Sequence, residues 1–258
     1  MLHKIRDKLR ALPDWAVLAL LMFFALGVRL VYLYLHPLET RDGIYYIRFT
    51  QEWFEHGAAA LPHHLSIQPP LYCYLSRALM FAGLDAAAAT LAVNLTAGIL
   101  LLIPVYVSGK VLWKKRDVAA GLCLCAAVLP MLVAYSCMRL REGLYLFFVF
   151  SSLCAWFLSL RKVHMLRSSA ACGFLAVLNI LCRYEAWELL AICALTLPVA
   201  ALFPGWRWKD ALKTSAAYFG GIAAGVTTIM LLPGMPNIIF IYFNRIYLQC
   251  LGTFINPL

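Results

Sequence analysis

The chain has 258 residues, 64% of them hydrophobic and only 13% charged, with a mean hydropathy of +0.81 and a formal charge of +10. A soluble domain carries about 25% charged residues, so the composition excludes one and leaves an integral membrane protein. The charge does not make a nucleic-acid surface, because basic residues cluster at 4–10, 110–116, 161–167 and 207–213, with all eight lysines among them; short basic connections between apolar runs are the positive-inside pattern of membrane topology.

Several runs approach the ~20 apolar residues that a helix needs to cross the hydrocarbon, and no ten-residue alternation suggests a barrel. Residues 1–14 read as a basic cytoplasmic N-terminus. The run 15–35 is too long for the core of a typical signal peptide. It is followed by His36-Pro37-Leu38-Glu39 instead of a small-residue cleavage site, so it reads as a retained first transmembrane helix. Arg29, in its outer half, is expected to snorkel to the surface more than to bind a ligand.

Residues 36–85 form one long connection on the outer side. Asp42 can cap a helix running to His56 and closed by Gly57. Tyr46, Phe49, Trp53 and Phe54 share one face of that helix, and Arg48, Glu52 and Glu55 share the other. It is expected to lie on the membrane, aromatic side down, with Asp42 at headgroup depth. The next run, Pro69 to Gly83, would rise only about 22 Å as a helix and carries Arg77. If it spanned, the basic loop at Lys114-Lys115-Arg116 would move to the outer side, so it reads as an interfacial helix.

Six further crossings are predicted within residues 86–232, at about 86–109, 118–135, 143–160, 168–182, 186–203 and 212–232. The fold class is therefore all-α, with about seven transmembrane helices, a cytoplasmic N-terminus and an outward C-terminus. Residues 233–258 carry Asn244, Arg245 and Gln249 in an apolar, aromatic tail, and read either as an outer interfacial segment or as the start of an eighth crossing. The nine cysteines mostly fall inside apolar runs and repeat no metal or disulfide spacing, so they read as small core residues.

Chemistry is expected on the outer side. Asp42 is either a helix cap or a carboxylate at the membrane boundary, able to take a proton from an acceptor or to help hold a divalent metal on a phosphate. Arg139, Arg141 and Glu142 share the second outer connection, and Arg183, Glu185 and Glu188 the third. Outward arginines without lysine suit a lipid phosphate, since guanidinium grips phosphate oxygens in a bidentate way; the alternative is that Arg and Glu merely neutralise one another at helix ends. Charges this close to hydrocarbon suggest function or pairing. His36, His56, His63 and His64 match no zinc spacing, so no metal ligand is assigned, and a divalent metal is the one cofactor left open.

The segments Asp42-Gly43-Ile44-Tyr45-Tyr46, Gln68-Pro69-Pro70-Leu71-Tyr72, Tyr135 to Glu142 and Arg183-Tyr184-Glu185-Ala186 occur in an order that resembles the GT-C membrane glycosyltransferases of the protein O-mannosyltransferase and lipid A aminoarabinose transferase type. The resemblance covers roughly residues 10 to 205. It implies inverting transfer of a sugar from a polyprenyl-phosphate donor to a glycan, lipid or protein acceptor at the outer face, with a bacterial inner membrane as the expected location. By that resemblance Asp42 is the general base or an acceptor-orienting carboxylate, and Glu142 a secondary acid. Arg183, with Arg139 and Arg141, would neutralise the donor phosphate, and Tyr45, Tyr46 and Glu185 would support them. Gly43 stands where that family has Glu, and its members continue well beyond a seventh helix, so a compact or truncated member is expected. The rival expectations are a non-catalytic carrier of polyprenyl phosphate and an inactive subunit of a larger complex.

Overall fold

Eleven α-helices follow one another along the described part of the chain: α1 (Asp14–Leu35), α2 (Arg41–His56), α3 (Leu71–Phe81), α4 (Ala86–Leu100), α5 (Leu102–Trp113), α6 (Arg116–Val128), α7 (Pro130–Cys137), α8 (Glu142–Leu160), α9 (Met165–Ile180), α10 (Trp187–Val199), flanked by single 3-10 turns at Tyr184–Ala186 and Ala200–Leu202, and α11 (Trp208–Met230). They come from a computed structural model that describes residues 12–36, 39–57, 70–202 and 205–232. There is no strand among the described residues. The expectations for the N-terminal basic run, His63, His64, Gln68, Pro69 and the tail from 233 lie outside them.

Four helical stretches are long and apolar enough to cross a membrane: Asp14–Leu35, Ala86–Trp113, Glu142–Leu160 and Tyr184–Leu202. The pair α6 and α7 makes a fifth if taken as one span, bent by 57°. The cause of the bend is local. Leu129 adopts an extended backbone and Pro130, which has no N–H to give, opens α7. The expected straight crossing over 118–135 is therefore two helices. At sixteen residues α9 is apolar but short, while α11 has the length without the apolarity of the others, carrying Lys209, Asp210 and Lys213 at its start. These two form the closest helix pair: a Cβ on Gly173 would lie 2.1 Å from Tyr218 O, and one on Gly221 1.9 Å from Ala170 O. Glycine is what lets the backbones approach this far.

Three expectations about the first half of the chain are corrected. Arg29 does not snorkel. It is fully buried, donating from Nε to Ser136 Oγ at 2.8 Å and from its terminal nitrogens to Ala25 O, Ala127 O and Gly98 O at 3.1, 3.3 and 3.2 Å. Buried carbonyls beside a helix break need donors more than the guanidinium needs water. Asp42 does not cap α2. Thr40 does, its hydroxyl accepting from Gly43 N at 3.0 Å, which leaves Asp42 as the second helical residue. Finally, the aromatic face of α2 does not point down into lipid. Tyr46, Phe49 and Trp53 are buried in a core cluster with Leu71, Tyr72 and Cys73 of α3 and with Val93 and Leu144 of α4 and α8. The aromatic payload is buried more favourably against fitted protein side chains than against fluid acyl chains.

Helix α3 has eleven residues, a rise of about 16 Å, so it is too short to cross and matches the expectation on that point. It is clamped to both neighbours. Tyr72 donates its hydroxyl to Thr90 O of α4 at 2.9 Å, and Leu71 N donates to Leu181 O at 3.1 Å, after the end of α9.

Two ends of the bundle differ in chemistry. At one, Asp14 accepts from Tyr106 and pairs with Lys110 and Arg116, while Lys162 pairs with Asp210. Every lysine among the described residues lies on the connections of that end or in the helical turns next to them. The other end gathers the starts of α2, α3, α4, α8 and α10, and its paired cations are arginines.

Candidate active site

The arginine end is built by three connections that the fold brings together. The first is the approach to α2, from Glu39 to Gly43. The second is the turn between α7 and α8, residues 138–141, and the third is the turn from Leu181 to Ala186 between α9 and α10. Their contact is direct: Arg139 pairs with Glu39 and also donates from Nε to Ala87 O at 2.9 Å. A Cβ on Gly43 would lie 3.5 Å from Arg139 O.

Glu142, the first residue of α8, stands between the second and third connections. Its Oε1 lies 3.6 Å from a terminal nitrogen of Arg183 and 3.8 Å from Arg141 Nε. These are ion-pair distances, longer than hydrogen bonds. The shorter grip on Arg183 comes from Glu185, which accepts from Nη2 at 2.9 Å and from Nε at 3.3 Å. That bidentate bond, followed by the nearby Glu142 charge, raises the pKa of Arg183 above its ordinary value, so it stays a cation. Its guanidinium also lies over the Tyr145 ring, 5.4 Å from the centroid.

Asp42 is exposed and makes no hydrogen bond or ion pair among the described residues. Tyr46, one turn along α2, links it to the rest. The Tyr46 ring is buried edge-on against Tyr72 at 5.2 Å. Burial raises the pKa of its hydroxyl, Arg141 opposes that shift, and Glu142 and Asp42 add to it. One buried phenol is thus within electrostatic reach of all three charged groups. Tyr45 stacks on Phe49 with centroids 6.4 Å apart, half-buried at the edge of the same cluster.

The structure therefore collects Asp42, Glu142, Arg139, Arg141, Arg183, Glu185, Tyr45 and Tyr46 at one end of the bundle. It also favours pairing, since Glu39, Glu142 and Glu185 each face an arginine. Two carboxylate oxygens are left over. Glu39 Oε2 and Glu142 Oε2 are both buried with no hydrogen-bond partner among the described residues. A buried carboxylate oxygen in that state costs free energy until a donor reaches it. Glu39, which in the sequence only follows the first transmembrane run, belongs to the site. Its carboxylate lies where a side chain at position 43 would go, 2.4 Å from a Cβ placed there. The signal was present in the glycine itself, which leaves space beside Asp42 for another residue to fill. Tyr145 was also missed, since nothing in an apolar helix start marks an aromatic ring as an arginine platform.

Among the described residues no group of three or more His, Cys, Asp or Glu side chains is placed to hold a metal ion. His36 stacks on Tyr32 at 4.3 Å and His56 Nδ1 lies 3.3 Å from the backbone Glu52 O.

Two apolar clefts lie between the helices. One, of about 340 Å³, runs between α9, α10 and α11 past Leu181, Trp187, Leu190, Ile222 and Val226, starting two residues from Arg183. The other, of about 390 Å³, runs between α3, α4 and α8 past Leu75, Leu79, Ala97, Leu144 and Phe148, starting two residues from Glu142. No protein-family model matches the chain, and no curated protein matches it.

Proposed function

We propose that the chain is a polytopic GT-C-like glycosyltransferase that moves a sugar from a polyprenyl-phosphate donor to an acceptor at the outer face of a bacterial inner membrane. The reading includes seven crossings, with the lysine end cytoplasmic and the arginine end outward. The observation that carries it is the ion pair of Glu142 with Arg183 across two connections, with the exposed Asp42 of a third connection acting on the same buried Tyr46 as Glu142, in a bundle that also holds clefts lined by apolar side chains. A polyprenyl-phosphate sugar has matching parts: an apolar tail, a phosphate and a set of hydroxyl donors. The open oxygens of Glu39 and Glu142 suit hydroxyl donors, and the arginines, with several helix N-termini at the same end, suit the phosphate.

In this reading the exposed Asp42 takes the proton of the acceptor as its heteroatom attacks the anomeric carbon. The bond from that carbon to the phosphate oxygen breaks with inversion, and the electron pair leaves on polyprenyl phosphate. Arg183 and Arg141, with Arg139 behind them, offset the charge that develops there, the kind of electrostatic task that dominates many transfers. Glu142 holds Arg183 and acts as the secondary acid, Glu185 orients Arg183, and Tyr45 and Tyr46 pack the floor.

A second reading is a carrier that binds polyprenyl phosphate without chemistry: it needs only the arginines, and the exposed Asp42, with no hydrogen bond or ion pair among the described residues, is not held in place for proton transfer. Purified protein incubated with radiolabelled polyprenyl-phosphate sugars separates the two. Release or transfer of the sugar supports the enzyme, retention without turnover supports the carrier, and absence of binding removes both.

A further inference from the structure

The turn that carries Arg139, Arg141 and Glu142 has few means of holding its own shape. It lies between the end of α7, where the last carbonyls lack helical partners, and the start of α8, where the first N–H groups do. A single buried side chain from another helix serves both. Asn94 of α4 is fully buried; its Nδ2 donates to Tyr135 O and to Met138 O, the latter at 2.6 Å, and its Oδ1 accepts from Leu144 N at 3.1 Å. Two carbonyls and one N–H around one amide leave a single orientation that satisfies all three. Gly143 completes the fit, since a Cβ there would lie 2.3 Å from Asn94 Oδ1.

The same face of α4 holds the site at two further points. Ala87 O accepts from Arg139 Nε, and Thr90 O accepts from the Tyr72 hydroxyl of α3. Residues 87, 90 and 94 follow the spacing of one helix face. A rigid helix thus fixes both the α7–α8 turn and the helix whose partner, α2, carries Asp42.

We propose that Asn94 is a positioning residue of the site, setting the backbone on which Arg139, Arg141 and Glu142 stand without touching a ligand itself. What the turn binds rests on the reading above; that Asn94 holds the turn does not. Asn94 must be both donor and acceptor, so an isosteric replacement tests hydrogen bonding apart from volume. Asn94→Asp retains shape and the acceptor for Leu144 but sets a carboxylate against two carbonyls, and Asn94→Leu removes every polar contact at similar size.

The experiment combines two readouts on the full chain in lipid nanodiscs. Hydrogen exchange across 138–144, with maleimide labelling of Cys137, which is 2% exposed, reports on the turn, while the fully buried Cys172 of α9 reports on global opening. Equilibrium binding of polyprenyl phosphate reports on the site. Both variants are expected to raise exchange and Cys137 labelling at least tenfold, to leave Cys172 protected, and to weaken binding about tenfold. Unchanged exchange in both variants overturns the proposal. So does labelling of Cys172 in parallel with Cys137, which would make Asn94 a general stabiliser, and so does a loosened turn with undiminished binding. If the unaltered protein binds no polyprenyl phosphate, the functional reading fails, and the exchange result alone then decides whether Asn94 holds the turn.

Discussion

Replacing Arg29 with Met tests how the bundle supports a broken helix. Three of the four Arg29 hydrogen bonds cross between helices, to Ser136 Oγ, Ala127 O and Gly98 O. Interhelical hydrogen bonds in membrane proteins average about 0.6 kcal/mol, so their loss contributes about 2 kcal/mol. Ala127 O, beside the break that Pro130 imposes, also loses its donor, and an unsatisfied buried carbonyl costs about 1–3 kcal/mol. The opposing effect is relief from burying a cation, and a buried ion replaced by a well-packed apolar group is often neutral or better. Here the guanidinium is already solvated by three carbonyls and a hydroxyl, so the lost bonds outweigh the relief. Arg29→Met is expected to destabilise by about 2–4 kcal/mol. Arg29→Lys should fall between, because one ammonium cannot span contacts on α4, α6 and α7 together. Reversible unfolding in mixed detergent micelles measures both. A loss below about 0.5 kcal/mol, the range of ordinary surface substitutions, or any gain, refutes the bracing role.

Other outcomes follow from single contacts. Gly221→Ala would press a Cβ into Ala170 O, backbone that cannot swing aside, so α9 and α11 must separate; a loss of about 1–3 kcal/mol is expected in the same unfolding assay, and a neutral result would mean that the pair is not tightly fixed. Gly43→Ala presses chiefly on the flexible end of Glu39 and more lightly on the Thr40 hydroxyl that caps α2, 3.1 Å away, so a stability loss of about 1 kcal/mol is expected while sugar transfer drops severalfold; undiminished transfer would remove Glu39 from the site. Burial pushes the Cys73 thiol up to about 12. Its thiolate is therefore absent through neutral pH, and maleimide should spare Cys73 in the folded chain; rapid labelling of Cys73 at pH 7 would show that the α2–α3 core opens.

Much of the architecture was legible because apolar runs have few ways to satisfy their backbone in lipid. Helices appear at each predicted crossing, and the short run after Pro69 was separable by its length, its Arg77 and the parity of the basic loops. Other features depended on competition that a linear pattern does not display. Thr40 and Asp42 are both competent caps, and the hydroxyl two residues earlier took the role. The face of α2 was read correctly, but which apolar surface would cover it depended on α3, α4 and α8 being there. Arg29 looked like a snorkelling residue because its partners, Ser136, Gly98 and Ala127, are distant in sequence. Asn94, in an alanine-rich helix, carried no mark at all. In the site, the arginines and acids were visible as charges near hydrocarbon, whereas their pairing was geometric. Only the fold could tell which carboxylate oxygens would be left open.

The central claim is that Asp42 acts on a polyprenyl-phosphate sugar held by the arginine end. A single-turnover experiment on the unaltered chain and Asp42→Asn, with donor radiolabelled in the sugar, tests it most directly. The account predicts that both proteins retain the donor, that the unaltered chain passes the label to an acceptor, and that Asp42→Asn loses transfer by a factor of about 100 or more, the lower range for a missing general base. Transfer at an undiminished rate in Asp42→Asn, or failure of the unaltered chain to hold the donor, would contradict it.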